Sequence, residues 1–186
     1  HREHRERLAR LGREFASDSD AEVVPHLHQI HGAGFPSELQ GKFALASYDR
    51  EHRQLLLARD RLGIKPLYYL DTPAGFFFAS EIKSLLLAPG FTAQVDRSAL
   101  DQLLTFKHIP GDGCLLHRVR LLMPGHLLAY DLASHSWLTR PYWTLVDRPI
   151  AARLDEAAAE VRRLLDRAVL DRLMSDVPVG VSLSGG

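Results

Sequence analysis

Alternating apolar and polar stretches divide the first part of the chain into short elements. Apolar runs at residues 55–58, 67–70 and 76–79 are separated by a polar loop and by a turn at residues 71–75. Short runs rich in Leu, Tyr and Phe between Gly, Pro and Asp are typical of strands. Because each run is almost continuously apolar, we expect both faces of the sheet to be covered. The pattern predicts the core on which the rest of the chain packs.

Further strands are predicted next to these runs. Residues 41–48 lead through a short polar turn into the run that begins at residue 55. Short connections favour antiparallel neighbours, so strands 41–48, 54–58, 66–70 and 76–80 are predicted to form a meander in one sheet. A later strand is predicted over residues 126–131, after a Met-Pro-Gly turn.

Helix signals lie before and after these strands. Ser19 with Glu22 has the spacing of a capping box, and Asp20 adds an acidic residue to the first turn. Pro25 inside this helix is expected to remove a hydrogen bond and to introduce a kink. Asp96 is the predicted N-cap of a second clear helix. Other helices are predicted over residues 4–13, 81–87 and 154–173.

The composition changes after Trp143, which indicates a second domain. Residues 147–149 are a predicted linker, and the long helix that follows has Leu, Ala and Val at helical spacing. A buried-type strand at residues 177–183 then ends in Ser-Gly-Gly, and a helix, a strand and a glycine turn open an α/β domain. We expect one domain at residues 1–145 and the start of another at residues 146–186, in a chain cut at both ends.

Charge and cysteine content exclude several classes of partner. Lys plus Arg number 23 and Asp plus Glu number 23, so nothing suggests a nucleic-acid or membrane-surface partner. No apolar run approaches the roughly 20 residues that a membrane helix needs. The single cysteine, Cys114, excludes an internal disulfide and fits a reducing cytoplasm.

Histidine and cysteine side chains are the first candidates for chemistry. His26, His28 and His31 lie in one predicted helix, but no carboxylate or cysteine completes a metal site, so a solvated helix face is favoured. Cys114 is followed by His117, but a nucleophile needs a base in space. A small apolar residue entering a strand is therefore favoured at Cys114. We predict no metal site.

Charged side chains are the next candidates. Arg59, Asp60, Arg61 and Lys65 form either a catalytic cluster or a salt-bridged turn, and the turn is favoured because charges commonly close strand connections. Asp20 is either an acid of a helix terminus or a fixed carboxylate facing an amine-bearing ligand. Its spacing alone favours the structural role.

The glycine-rich end of the chain can expose backbone N–H groups to an anion, although Gly-Gly after a strand is more often a plain turn. The Gly-Lys-Ser/Thr of a Walker A loop does not follow within the chain. Ser182 lies in Gly-Val-Ser-Leu-Ser, which has serine where a nucleophile elbow needs its last glycine. A serine hydrolase is therefore disfavoured.

Several of these segments, taken in order, resemble one family. They are SDAEV at 19–23, LQGKFALASYD at 39–49, RDRLGIKPLYY at 59–69, FASEIKSLL at 78–86, VDRSALDQLL at 95–104, IPG at 109–111, GHLL at 125–128, YW at 142–143 and SDVPVGVSLSGG at 175–186. Each motif alone is weak, but this order is similar to the glutamine-dependent asparagine synthetase family, including its class II glutamine amidotransferase half.

The resemblance implies an α+β fold with two parts. A truncated N-terminal-nucleophile glutaminase, an αββα sandwich of two antiparallel sheets between helix layers, precedes the first helix and strand of an α/β, Rossmann-like ATP-pyrophosphatase domain. Glutamine hydrolysis supplies ammonia, and ATP with Mg²⁺ activates aspartate as an acyl-adenylate, which gives asparagine. The implied partners are glutamine, aspartate and ATP, with a homodimer as a further expectation and the cytoplasm as the location.

The resemblance assigns few functional residues to this chain. Asp20 matches the carboxylate that holds the glutamine α-amino group. The ATP-binding residues would be Ser182 and Leu183 beside the adenine and Ser184, Gly185 and Gly186 at the pyrophosphate. The nucleophilic cysteine of the family lies upstream, so no catalytic residue is assigned and the isolated chain is expected to be inactive.

Departures from the family pattern limit what the resemblance implies. Gln40 replaces the usual Asn, Lys107-His108 the usual Gly-Tyr, and Pro25 an aliphatic residue. Related amidotransferases act on other carboxylates in polysaccharide or peptide modification, which leaves the acceptor open. A catalytically dead glutaminase-like scaffold is the rival from another class, and a serine hydrolase that uses Ser182 is the outsider.

Overall fold

The chain divides after Leu145 into two units, His1–Leu145 and Val146–Gly186. The structure, a computed structural model, describes residues 2–149, 153–173, 175, 177–181 and 183. All strands assigned within these residues belong to the first unit, and the second unit contributes one helix.

Seven strands form two antiparallel sheets in the first unit. The strands are β1 Ala44–Asp49, β2 Gln54–Arg59, β3 Tyr68–Thr72, β4 Gly75–Ala79, β5 Arg120–Leu121, β6 His126–Asp131 and β7 Ser136–Pro141. One sheet has the order β1-β2-β6-β7 and the other the order β4-β3-β5. The predicted strands at residues 41–48, 54–58, 66–70, 76–80 and 126–131 are thereby confirmed in kind, with shifted ends.

The predicted single meander is wrong. Strand β2 pairs with β1 on one side and with β6 on the other, where Leu56 lies opposite Ala129. Because both edges of β2 are taken, the chain cannot pair β3 beside it. The polar loop after Arg59 instead carries the chain into the second sheet, where β3 pairs with β4 and β5.

The two faces of β2 belong to different layers, as its apolar pattern predicts. Leu56 and Ala58 pack with Leu27 and other residues of the helices that precede the sheet. Leu57 points the other way and packs with Tyr69 of the second sheet. A third cluster covers the far face of the second sheet and includes Leu70, Leu85, Ala88 and Cys114. The layers follow the order helix, sheet, sheet, helix, as the resemblance implies.

The helices of the first unit differ from prediction at their ends. The first ends before Gly12, whose φ of +78° breaks the helical backbone. Pro25 lies in the first turn of the second helix, where no intrahelical N–H bond is lost. The predicted kink is therefore wrong. Asp96 caps the fourth through Ser98 and Ala99, as predicted. The helices are α1 Arg2–Arg10, α2 Val23–His31, α3 Ile82–Leu85 and α4 Arg97–Phe106, with 3-10 segments at Asp20–Glu22 and Gly32–Glu38.

The second unit contains the predicted amphipathic helix as α5, Leu154–Leu170. The predicted buried strand at residues 177–183 is wrong for the described part: residues 177–181 and 183 are exposed and have no strand assignment. A strand needs a hydrogen-bonded neighbour, and the described part of this unit supplies only a helix. Among the residues that the structure describes, no helix has the length and apolar character needed to cross a bilayer.

Candidate functional site

The loop after β2 is held by the carboxylate of Asp60. Oδ1 accepts the N–H groups of Leu62 and Ile64 at 3.2 and 3.0 Å. Oδ2 accepts those of Lys65 and Phe43 at 3.0 and 3.3 Å. Asp60 is 1% exposed, so these bonds replace the water that the carboxylate loses on burial.

Burial and hydrogen bonding act in opposite directions on the pKa of Asp60. Burial is the largest single influence and raises the pKa, but the four N–H donors together outweigh it and leave the pKa below its usual value. Asp60 is therefore a buried, ionised carboxylate whose acceptor positions are used by the backbone.

Arg59 holds the other side of the same loop. Its guanidinium donates to the carbonyl oxygens of Lys65 at 2.8 Å, Leu122 at 2.8 Å and Gly63 at 2.6 Å. Gly63 has φ +65°, and a Cβ there would lie 2.8 Å from Pro124 Cγ and 2.9 Å from Arg59 Cζ. The glycine of the motif is required both by backbone conformation and by space.

Two distant motifs complete this cluster. Gly125 donates its N–H to the carbonyl oxygen of Asp60 at 2.9 Å and accepts the N–H of Tyr142 at 2.9 Å. The Tyr142 hydroxyl donates to the carbonyl oxygen of Arg59 at 2.7 Å. The charged loop forms a turn, as predicted, but the predicted salt bridges are wrong for Arg59 and Asp60, which bond to backbone groups. We call these four residues the loop cluster: Arg59, Asp60, Gly125 and Tyr142. The loop cluster fixes the loop by which the chain passes from the first sheet to the second.

A second motif presents Asp20 at the surface. Asp20 is exposed and is the first residue of the 3-10 turn Asp20–Glu22, directly before α2. Ser19 caps this turn by accepting the N–H of Ala21 at 3.3 Å. Within the described part of the chain, the Asp20 carboxylate has no hydrogen-bond or ion-pair partner. It can therefore accept a bond from a ligand.

The predicted capping box is only half formed, because Glu22 bonds elsewhere. Its carboxylate accepts the N–H of Ala16 at 2.5 Å, the N–H of Ser17 at 3.0 Å and the Ser17 hydroxyl at 2.7 Å. Arg5 of α1 donates to the carbonyl oxygens of Ser17 and Ser19 at 2.6 and 3.2 Å. The segment before Asp20 is thus held by two charged side chains.

Comparison with known proteins identifies the family. The family described as "Glutamine amidotransferase domain" matches residues 1–143, and the one described as "Asparagine synthase" matches residues 160–186. The chain belongs to the glutamine amidotransferase domain family. The predicted recognition is confirmed.

Relatives of this amidotransferase chain carry more than one name. It is 35% identical over 185 residues to asparagine synthetase [glutamine-hydrolyzing] 3 of Bacillus subtilis, and this alignment covers 98% of this chain and 30% of the relative. It is also 35% identical over 181 residues to amidase chyE of Penicillium rubens, covering 93% of this chain and 26% of the relative. The chain spans about a third or less of the length of these relatives.

A solved structure shows the same fold. Glutamine phosphoribosylpyrophosphate amidotransferase from B. subtilis aligns with 80% of this chain and 28% of its own, with a TM-score of 0.51 and 20% identity. At this identity the likeness concerns the fold alone. It confirms the predicted α+β class with an N-terminal-nucleophile, glutaminase-like sandwich.

One histidine of the amidotransferase chain contradicts the sequence interpretation. His28 is buried, stacks on Phe35 and bonds through Nδ1 to the Ser47 hydroxyl at 2.8 Å, so a solvated face is wrong for it. Burial lowers the pKa of His28, against the opposing charge of Asp49. The residues that cover it come from other elements, which helix periodicity cannot show. No cluster of three or more potential metal ligands occurs among the described residues.

Cys114 is an apolar core residue, as predicted, although the strand it was to enter is absent there. It is 7% exposed and packs in the cluster that covers the far face of the second sheet. Burial, aided by the charge of Asp112, raises the pKa of its thiol to about 11. A thiol with this pKa is a poor nucleophile near neutral pH.

The residues assigned to ATP fall mostly beyond what the structure describes. Ser182, Ser184, Gly185 and Gly186 lie outside the described residues. Leu183 is described, and its side chain is 92% exposed. An adenine contact through the backbone of this residue stays a prediction.

Two of the three departures from the family pattern have a structural explanation. Lys107 ends α4 in the left-handed conformation with φ +60°, which explains why the family has glycine there. Pro25 fits the first turn of α2. Nothing in the structure explains Gln40.

Proposed function

We propose that this chain is part of an ATP-dependent, glutamine-hydrolysing enzyme that converts aspartate to asparagine through an acyl-adenylate. The family membership of residues 1–143 and the asparagine synthase match at residues 160–186 support the two halves of this reaction. A bare carboxylate resists attack by ammonia until one oxygen becomes a good leaving group, which is the reason for consuming ATP.

The observation that carries the proposal is the presentation of Asp20. Its exposed carboxylate lies at the start of a turn that Ser19 caps, directly after a segment that Arg5 and Glu22 hold. A carboxylate in this state can accept a charge-assisted hydrogen bond from the α-ammonium group of glutamine. Such a bond would orient glutamine without taking part in the bond changes at its amide.

The remaining parts of the reaction are assigned by the same proposal. Ammonia released from glutamine would reach a second site, where backbone N–H groups of Ser184, Gly185 and Gly186 hold the pyrophosphate of ATP. Ser182 and Leu183 would lie against the adenine, and Mg²⁺ would balance the phosphate charge. The enzyme would work as a homodimer. It would be located in the cytoplasm, a reducing compartment that suits a chain with a single cysteine.

The acceptor is the part of the proposal with a specific rival. Identity to the asparagine synthetase of B. subtilis and to amidase chyE is the same, 35%. The amidase relative favours, as a second candidate, an amidotransferase that acts on a carboxylate other than aspartate. Analysis of the amidated product distinguishes the two.

The role of Asp20 is tested by Asp20→Asn in the gene product that carries this chain. We expect KM for glutamine to rise about 30-fold, since a hydrogen bond to a charged group contributes about 1.5–3 kcal/mol. Asp101→Asn is the control for the loss of a carboxylate, because Asp101 is an exposed residue of α4, outside the segment that carries Asp20. An unchanged KM in Asp20→Asn would refute the assignment.

A further inference from the structure

We infer that Arg5 and Glu22 are positioning residues for glutamine, acting through the backbone that carries Asp20. This inference rests on the proposed function, in which Asp20 binds the α-ammonium group. Arg5 belongs to α1 and Glu22 to the turn itself, and their charged groups lie 3.9 Å apart. Together they hold the segment at residues 15–19, here called the Asp20 arm.

Glu22 fixes the arm from the turn side. Both carboxylate oxygens are used: Oε1 accepts the Ala16 N–H at 2.5 Å, and Oε2 accepts the Ser17 N–H at 3.0 Å and the Ser17 hydroxyl at 2.7 Å. These bonds, led by that of the Ser17 hydroxyl, lower the pKa of Glu22. The side chain that would complete a capping box is used instead to fold the arm back on the turn.

Arg5 fixes the arm from the helix side. Its two terminal nitrogens bridge the carbonyl oxygens of Ser17 and Ser19 at 2.6 and 3.2 Å. The guanidinium also lies over the ring of Phe15, 4.2 Å from the centroid. Since the planar guanidinium presents its donors in a fixed fork, lysine cannot bridge both carbonyls in the same way. Leu8, in the same helix as Arg5, is fully buried, which anchors the helix to the core.

The bonds end one residue before Asp20. Arg5 holds the Ser19 carbonyl, which belongs to the peptide bond that joins Ser19 to Asp20. Fixing this peptide limits the positions of the Asp20 carboxylate before glutamine arrives, and preorganisation of this kind lowers the cost of binding. The ammonium contact is the same in the ground state and in the transition state. Loss of the arm should therefore raise KM and leave kcat nearly unchanged.

The test measures glutamine hydrolysis by Glu22→Ala, Glu22→Gln and Arg5→Lys in the gene product that carries this chain. We expect Glu22→Ala to raise KM for glutamine about 10-fold, with kcat within about twofold of the parent enzyme. Glu38→Gln is the matched control, because Glu38 pairs at 3.1 Å with Arg7, which lies in α1 like Arg5. The KM of this variant for glutamine should not change. If Glu22→Ala yields little folded protein, Glu22→Gln replaces it as the test variant.

A double variant separates this inference from the proposed function. If Glu22 acts through Asp20, Glu22→Ala should add less than about twofold to the KM of Asp20→Asn. A full 10-fold further rise, or a fall in kcat with KM unchanged, would overturn the positioning role. If Asp20→Asn alone leaves KM unchanged, the proposed function fails. If Asp20→Asn raises KM while the Glu22 and Arg5 variants do not, only the present inference fails.

Discussion

The hydroxyl of Tyr142 donates a 2.7 Å hydrogen bond to the carbonyl oxygen of Arg59, a residue 83 positions earlier in the chain. Burial raises the pKa of Tyr142 to about 12, so the phenol stays protonated and remains a donor at any physiological pH. The bond joins the end of β2 to the segment after β7. It closes the loop cluster around the crossing between the two sheets.

Removal of this hydroxyl should weaken the first unit. Tyr142→Phe leaves the Arg59 carbonyl without its donor and should lower the free energy of unfolding by about 1–2 kcal/mol. Urea unfolding followed by tryptophan fluorescence measures this, because both tryptophans, Trp137 and Trp143, lie in the first unit. Tyr48→Phe is the control, since Tyr48 is 50% exposed. Equal losses in both variants would contradict the proposed importance of the bond.

Asp60→Asn should show a pH-dependent loss of stability. The amide cannot accept all four N–H bonds, so the free energy of unfolding should fall by about 2–3 kcal/mol at pH 7. The folded-state pKa of Asp60 lies below its usual value, so the stabilising effect of ionisation is complete above the unfolded pKa of about 3.9. It is lost as the pH falls through the folded pKa.

The pH dependence provides the check on that prediction. The difference in stability between the parent chain and Asp60→Asn should be constant from about pH 5 to 7 and should narrow below about pH 4. A difference that grows as the pH falls would mean that Asp60 is stabilising in its protonated form.

Gly63→Ala tests the tight approach within the loop. The added Cβ would lie 2.8 Å from Pro124 Cγ at a φ of +65°, and the expected loss of stability is about 2–3 kcal/mol. Gly34→Ala is the control, because its Cβ would meet nothing within 4 Å and its backbone is not left-handed. Urea unfolding should give a clearly lower free energy of unfolding for Gly63→Ala than for Gly34→Ala. An unchanged free energy of unfolding in Gly63→Ala would show that the loop can accommodate the added Cβ.

Lys107→Gly should stabilise the chain. Lys107 has a left-handed backbone conformation, which is strained for lysine and which glycine adopts without strain. The free energy of unfolding of Lys107→Gly should therefore be higher than that of the parent chain by about 0.5–1 kcal/mol. Lys107→Ala removes the charge but keeps the Cβ, and its stability should match the parent chain. A gain in both variants would trace the effect to charge and not to the backbone.

Local patterns determined how far the sequence could predict this structure. The apolar runs located the strands, and the almost continuously apolar run of β2 correctly predicted that both faces of the strand are covered, as Leu56 and Leu57 show. The sheet assignment was missed because β2 pairs with β6, and the sequence signal for that pairing is weak at such a separation. Short connections alone favoured β3 as the neighbour.

The candidate site was predictable only at the level of motifs. The SDAEV segment pointed to Asp20, but the roles of Arg5 and Glu22 depend on the irregular path of the Asp20 arm, which has no periodicity. A capping-box spacing at Ser19 and Glu22 even predicted a different bond. His28 was misread for a similar reason, since Phe35 and Ser47 cover it from outside its helix.

The proposed function is tested most simply by following the amide nitrogen of glutamine. The gene product that carries this chain is incubated with glutamine labelled with ¹⁵N at the amide, together with aspartate, ATP and Mg²⁺. We expect ¹⁵N in the side-chain amide of asparagine, with one AMP and one pyrophosphate formed per asparagine. Glutamine that keeps its label while the protein is folded and ATP is present would contradict the proposed function.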